Sequence, residues 1–255
     1  GDDAAAAECL SRAIQASTDG KLRWHLVQRL SILQFDAGKA EDAAALLRQH
    51  MADAVLPGDR ISAGIIAATF GHYALAAEAL GPTRDSPPPA TSPVNGVETA
   101  RRLLHPLLLG TCLMQSGQAA AARLEFERAL TLADRLRDRR FILDRVIAAA
   151  RAQGRLDELA TRWMNDRQLS ADLLPMLLMV LRELGRVDDV MRLQELAGRS
   201  DRHRQIILSP AFQREVIAAI LEAGRIEQAA TAYEALHEGE PENEEWLVAL
   251  ARLRL

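Results

Sequence analysis

Apolar residues recur every three or four positions along most of this chain, and single glycines interrupt the runs. Leu22, Leu26, Leu30 and Leu33 show this spacing before Gly38. Such spacing is typical of amphipathic helices, and a glycine that follows it favours the left-handed conformation at a helix end. Val, Ile and Thr never cluster in the alternating runs that strands require. The sequence therefore predicts an all-α protein.

The same pattern sets the expected helix bounds. It predicts helices over residues 3–17, 21–37, 40–54, 60–70, 72–80, 97–116, 118–136, 139–153, 155–166, 171–184, 187–197, 209–223, 225–238 and 243–254.

A proline-rich segment divides the predicted helices into two groups. The segment 81–96 contains five prolines and two glycines, which do not fit inside a helix. We expect helix pairs over 1–81, a loop or linker over 82–96, and further helix pairs over 97–255, as one continuous array. A surface loop, a hinge between two sub-arrays and a PxxP-type ligand are the alternatives for the segment.

Turn glycines recur at a regular interval. They stand at Gly38, Gly71, Gly117, Gly154, Gly185 and Gly224, so that the intervals by subtraction are 33, 46, 37, 31 and 39 residues. The long interval contains the proline-rich segment. Periods of this size are typical of stacked two-helix repeats, because one pair cannot bury its apolar face alone.

The repeat around Gly117 carries the most detailed pattern. Gly110 lies seven residues before it, while Ala122, Phe126 and Ala129 lie five, nine and twelve residues after it. Small side chains at Gly110 and Ala122 are expected to face each other and let the two helices approach closely, and Phe126 is expected to cover the seam.

This pattern resembles the tetratricopeptide repeat, a helix-turn-helix unit of 34 residues. The resemblance implies a right-handed α-solenoid of antiparallel helix pairs. Matching positions around the other turn glycines are Gly64, Ala76, Ala229, Tyr233 and Pro241.

The later repeats depart from the pattern. Leu159 and Val190 replace the expected alanine, and Ile147 and Leu178 replace the expected glycine, so the helices there should lie farther apart. A glycine-arginine-hydrophobic-acid motif recurs instead at Gly154, Gly185 and Gly224. Its acid, for example Asp157, is expected to favour the N-terminus of the second helix.

The expected function comes from the resemblance to the tetratricopeptide repeat rather than from any catalytic or binding motif. It implies that residues three, six and ten positions before each turn glycine line a concave face that binds a protein or peptide. The candidate partner-binding residues are Gln28, Phe35, Met114, Asp144, Arg151, Met179, Arg182 and Arg214. The arginines would form a row that binds carboxylates, or they lie along the helices and only cover them.

Composition and charge narrow the possible functions. A net charge of −4 argues against a dedicated nucleic-acid binder. We find no catalytic motif, metal-ligand spacing or cofactor-binding loop, and no apolar run long enough to span a bilayer. Two basic clusters stand out, at 135–145 and 199–204, and either pair with interleaved acids or dock an acidic partner. His203, within the second, is expected in a loop or at a helix start.

We therefore expect a non-catalytic scaffold with no cofactor and a protein or peptide partner. The alternative is a segment of a larger bacterial cell-envelope or export assembly, for example in polysaccharide secretion. A small-ligand regulator or an enzyme is a weaker alternative. The compartment, cytoplasmic or periplasmic, is not readable from these residues, because a targeting segment would lie outside them.

Overall fold

The structure is a computed structural model that describes residues 3–84, 95–133, 135–166, 169–239, 242 and 244–254. Those residues contain helices and turns and no strand, which confirms the all-α class. The chain divides into two compact units, Gly1–Asp134 and Arg135–Leu255, called unit 1 and unit 2 below.

In its described residues, unit 1 contains three helix pairs preceded by one further helix. Its α-helices are α1 (Asp3–Ala16), α2 (Gly20–Asp36), α3 (Ala40–Gln49), α4 (Pro57–Thr69), α5 (Tyr73–Leu80), α6 (Asn95–Gln115) and α7 (Ala119–Leu132), with 3-10 turns at Met51–Asp53 and Gly81–Thr83. α5 packs against α6, so the pairs adjoin although residues 81–96 separate them in sequence. Residues 85–94 of that segment lie outside the described part of the chain.

The described part of unit 2 also contains three helix pairs, with two further helices. Its α-helices are α8 (Leu136–Ala152), α9 (Leu156–Met164), α10 (Leu173–Glu183), α11 (Val187–Gly198), α12 (Asp201–Ile207), α13 (Pro210–Glu222), α14 (Ile226–Gly239) and α15 (Glu244–Arg254). α8 packs against α10, and α10 packs against α13, so the first helices of the pairs lie side by side. The handedness of the stack stays a prediction.

All six turn glycines adopt the backbone conformation that the sequence assigned to them. Their φ angles lie between 65° at Gly154 and 81° at Gly71, in the left-handed region that a Cβ disfavours. At Gly185 the amide N–H donates to the Arg182 carbonyl at 2.9 Å, and the next amide N–H, of Arg186, reaches back to Leu181 at 2.9 Å. These bonds satisfy carbonyls at the helix end and turn the chain into the second helix.

Two glycines inside first helices allow close packing in unit 1. A Cβ at Gly110 would lie 2.7 Å from Cε1 of Phe126, and a Cβ at Gly64 would lie 2.5 Å from Cγ of Leu80. Phe126 and Leu80 each stand nine residues after their turn glycine. The side chain nearest to a Cβ at Gly110 is therefore that of Phe126, and Ala122 is fully buried on the same helix.

Larger side chains fill the corresponding seams of unit 2. Ile147, Leu178, Leu159 and Val190 are all buried, and none is more than 5% exposed. The helices within the pairs α8–α9 and α10–α11 approach each other over fewer residues than α4–α5 and α6–α7 do. This is the wider separation that those side chains require.

Helix α12 is absent from the sequence prediction. It lengthens the connection between α11 and α13, and it places His203 at a helix start, one of the two predicted positions, where the side chain is buried. α13 then begins in a favourable way, because the Ser209 hydroxyl accepts the amide N–H of Phe212 at 3.4 Å and Pro210 takes the first helical position.

Candidate functional site

The candidate site is the surface presented by the first helices of the pairs, which we call the A-helix face. Each unit has its own A-helix face, formed by α2, α4 and α6 in unit 1 and by α8, α10 and α13 in unit 2. Most candidate residues from the sequence lie on these six helices at equivalent distances from their turn glycines.

Three large apolar side chains lie exposed at one equivalent position. Ile32 is 39% exposed, Ile65 is 49% exposed and Met179 is 53% exposed, and each stands six residues before its turn glycine. The packing of the helix pairs does not need these side chains, because they point away from the core. A repeated exposed apolar position of this kind is a feature of binding surfaces.

The arginines of the A-helix face in unit 2 bind glutamates of the next pair. Nε and Nη2 of Arg151 donate to both carboxylate oxygens of Glu183, at 2.8 and 2.6 Å. Arg182 likewise binds Glu222, with Nε to Oε2 at 2.9 Å, and also binds Glu215 at 2.5 Å. In both cases the arginine stands three residues before a turn glycine, and its glutamate stands two residues before the following turn glycine.

These ion pairs shift the pKa values of their members in the direction that favours the charged forms. Hydrogen bonding to Glu183 raises the pKa of Arg151, and the same contact lowers the pKa of Glu183. Bonding to Arg182 also lowers the pKa of Glu222. Both partners therefore keep their charges at neutral pH.

A third arginine also binds a glutamate of a later helix, but from a different position in its repeat. Nη2 of Arg214 donates to Oε2 of Glu245 in α15 at 2.6 Å, and its guanidinium lies 5.4 Å from the ring centroid of the buried Trp246. The Trp246 ring in turn lies 6.0 Å from that of Tyr233. The arginine thus helps to join α13 to the final helix.

These contacts change the interpretation of the arginine row. Arg151, Arg182 and Arg214 are neutralised by glutamates of this chain, so they are not free to clamp a carboxylate. A partner's carboxylate would have to displace an existing pair, which gains little because exposed ion pairs each contribute only about 0.2–1 kcal/mol. Arg182 even faces two carboxylates, so its surroundings carry excess negative charge.

Apolar and acidic groups combine beside Arg182. A cavity of about 500 Å³ lies among Met179, Arg182, Glu183, Glu215 and Glu222. The three glutamates are not among the binding residues that the sequence predicts. The adjacent Arg182-Glu183 dipeptide was the available signal, but its partners lie in other repeats and appear only when the repeats are aligned.

A second set of ion pairs explains the glycine-arginine-hydrophobic-acid motif. Nη1 of Arg186 binds Asp157 of the preceding pair at 3.0 Å, and Nη1 of Arg225 binds Asp188 at 2.7 Å. Each acid therefore binds the arginine of the following turn, in addition to its favourable place near a helix N-terminus. The first arginine of the series, Arg155, binds within its own helix instead.

In unit 1 the equivalent contact is aromatic. Phe35 stands three residues before Gly38 and stacks on Phe70 of the next pair, with ring centroids 4.3 Å apart and planes 3° apart. Phe35 is only 5% exposed, so the structure makes it a packing residue and not a residue that a partner can contact. Gln28 and Met114 are partly buried.

α8 presents exposed basic residues at the start of unit 2. Arg137, Arg140 and Arg145 are exposed together with Asp144, and the Arg145 guanidinium lies 4.9 Å from the centroid of Phe141. Phe141 itself is 48% exposed. This surface, residues 137, 140, 141, 144 and 145, is called the α8 stripe below.

Arg139 belongs to the same sequence cluster but faces inward. Its Nε donates to Oδ2 of the buried Asp172 at 2.7 Å. Burial raises the pKa of Asp172, but hydrogen bonds from Ser170 and Arg139 outweigh burial and leave the pKa lowered. The basic cluster of the sequence is therefore one internal ion pair plus an exposed surface.

The remaining sequence candidates are structural. Ala76, Ala129 and Ala229 are fully buried in the seams between helices, while Pro241 lies outside the described residues. Cys9 is exposed and Cys112 is buried, and burial raises the pKa of the Cys112 thiol to about 11.

Searches for a metal site and for a membrane span were negative within the described residues. No group of three or more His, Cys, Asp or Glu side chains there is arranged to hold a metal ion. Nor does any helix in those ranges have both the length and the hydropathy that crossing a bilayer requires.

No protein-family model and no curated protein matches the sequence. Among solved structures, the chain is similar to a structure of Naa15/Naa10 bound to HypK-THB, with a TM-score of 0.49 and 16% sequence identity. The match covers 99% of this chain and 39% of that chain, so this chain spans about two fifths of its neighbour's length. Nothing about partners or activity follows from a likeness at this level.

Proposed function

We propose that this chain is a non-catalytic scaffold, similar to tetratricopeptide repeats, that binds a protein or peptide through the A-helix face of each unit. One observation carries the proposal. Ile32, Ile65 and Met179 occupy the same position in their repeats and remain 39% to 53% exposed. A protein partner would remove these side chains from water, at about 25 cal/mol for each Å² of apolar surface.

The ion pairs between repeats support a binding role by holding the surface in place. In unit 2, two sets of arginine–carboxylate bonds link each pair to its neighbour, one on the A-helix face and one at the turns. Because the ion pairs hold neighbouring helix pairs in place, less conformational entropy is lost when a partner binds.

The test compares exposed apolar residues on and off the A-helix face. Met179 and Ile226 are each 53% exposed in unit 2, and Ile65 and Leu124 are 49% and 52% exposed in unit 1. Ile226 and Leu124 lie on second helices and serve as matched controls. Each residue is changed to aspartate, and the tagged variants are used for pull-downs from the native host.

We expect Met179→Asp and Ile65→Asp to lose a partner that the unmodified chain recovers, while Ile226→Asp and Leu124→Asp retain it. Circular dichroism confirms that all four variants fold. Retention of every partner by all four variants would contradict the proposal, and so would a failure of the unmodified chain to recover any partner.

A further inference from the structure

One side of α8 is exposed along its N-terminal half. Residues 137, 140, 141, 144 and 145 follow one another at intervals of three, one, three and one, which places them on a single side of a helix. The opposite side carries Ile142, Leu143, Val146 and Ile147, all buried. The α8 stripe is thus the water-facing surface of a helix whose other side is fixed in the core.

The arginines of the α8 stripe differ from those further along the A-helix face. Arg151, Arg182 and Arg214 each bind a glutamate of the chain. Arg137, Arg140 and Arg145 form no ion pair within the residues that the structure describes, and the Arg145 guanidinium lies over the Phe141 ring. The sequence alternation of arginine and aspartate therefore does not neutralise this surface.

The resulting charge is locally positive in a negatively charged chain. The stripe holds three guanidiniums and the single carboxylate of Asp144, and the neighbouring Asp138 is partly buried on its flank. The exposed Arg135 stands three residues before Asp138, at the start of the helix. Screening at physiological ionic strength limits the reach of charge to about 8 Å, so the excess of positive charge acts on groups that contact the stripe.

From this surface we infer that the α8 stripe binds an acidic peptide that carries carboxylates at alternate positions. Side chains three or four residues apart on a helix lie about 5–6 Å apart, which matches the roughly 6.6 Å between alternate residues of an extended peptide. Arginine binds carboxylates through two parallel hydrogen bonds, which favours this pairing over a loose ionic contact.

Phe141 supplies the apolar part of the same site. Its ring is held by the Arg145 guanidinium and is 48% exposed, so an apolar side chain between two peptide carboxylates has a surface to pack against. The inference rests on the proposed function, because the stripe is the α8 portion of the A-helix face.

A nucleic acid fits the surface less well than a short peptide. Its backbone charge continues along its whole length, and beyond the stripe it would meet Glu183, Glu215 and Glu222 on the neighbouring first helices. A peptide with few acidic residues ends before it reaches those glutamates. An acidic peptide is therefore the partner that the charge pattern favours.

The inference is tested by fluorescence anisotropy with the full chain and a fluorescein-labelled five-residue peptide of alternating glutamate and leucine. A peptide with glutamine in place of glutamate and a ten-nucleotide oligothymidine serve as competing probes. The double variant Arg137→Gln/Arg140→Gln is compared with Arg199→Gln/Arg204→Gln, which removes two exposed arginines from the other basic cluster.

We expect the double variant at 137 and 140 to weaken binding of the glutamate peptide about ten-fold or more, since charged hydrogen bonds are lost. The double variant at 199 and 204 should change binding less than about two-fold, as expected for sites away from the contact. Phe141→Ser should also weaken binding. Equal binding of the glutamine peptide, equal binding by the 137/140 variant, or tighter binding of the oligothymidine would each overturn the inference.

The native partner separates this inference from the proposed function. If the 137/140 variant loses the partner in pull-downs together with Met179→Asp, both stand. If the 137/140 variant keeps the partner that Met179→Asp loses, the A-helix face stands as the binding surface and the acidic-peptide inference fails.

Discussion

Replacement of Gly110 by alanine tests how tightly the two helices of one pair are packed. The added Cβ would lie 2.7, 2.9 and 3.1 Å from three carbon atoms of the Phe126 ring. Ordinary carbon contacts are about 3.5–4.0 Å, so the ring would have to retreat by almost 1 Å. Phe126 is 1% exposed, and Ala122 and Ala129 on the same helix are fully buried, so little space is available.

The expected magnitude combines two opposing effects. Overpacking a well-packed core costs about 1–3 kcal/mol, whereas replacing glycine by alanine inside a helix stabilises the protein by about 0.5–1 kcal/mol. We expect Gly110→Ala to lower the free energy of unfolding by about 0.5–2 kcal/mol. Urea titration followed by circular dichroism at 222 nm measures this change.

Two further variants isolate the contact with Phe126. Gly58→Ala is the control, since Gly58 lies in the first turn of α4 and a Cβ there meets nothing within 4 Å. It should leave stability unchanged or raise it. Phe126→Leu in the Gly110→Ala background should recover part of the loss, with a coupling of about 0.5 kcal/mol or more. If Gly110→Ala is as stable as Gly58→Ala, the close contact is refuted.

Three further predictions concern charge, backbone and thiol. Hydrogen bonds from Arg23 lower the pKa of Asp53 to about 2, so this contact stabilises the fold above about pH 4, and the stabilisation is lost as the pH falls towards 2. Asp53→Asn should therefore lower the free energy of unfolding by about 1–2 kcal/mol at pH 7, after allowance for solvent screening. In urea titrations, the midpoints of the variant and the unmodified chain should converge in acid. Gly185→Ala should cost about 1 kcal/mol in urea titration, because φ is 66°. A thiol reagent at pH 8 should modify Cys9 within minutes and Cys112 only after unfolding; equal rates would contradict the buried thiol.

The helix pairs could be predicted from the sequence because their determinants are local. An apolar period, a glycine with positive φ and a proline-rich interruption each act within a few residues of the chain. Gly185, for instance, ends α10 through hydrogen bonds to residues within five positions of it. Helix α12 was missed because it is only seven residues long and lies in a polar segment, where the apolar period is weak.

The electrostatic state of the A-helix face could not be predicted in the same way. Arg182 and Glu222 are 40 residues apart in sequence, and their contact depends on the register between two repeats. The sequence showed a row of arginines and left their partners undetermined. Phe35 was assigned to the binding face for the same reason, since its partner Phe70 belongs to the following pair.

Photo-crosslinking from a single position tests the proposed binding face most directly. A benzoylphenylalanine residue is placed at position 179, and in a second chain at position 226, which is equally exposed but lies on a second helix. In cells of the native host, we predict a discrete crosslink to another protein from position 179 and none from position 226. Crosslinking that is absent at 179, or equal at the two positions, would contradict the claim that the first helices form the binding surface.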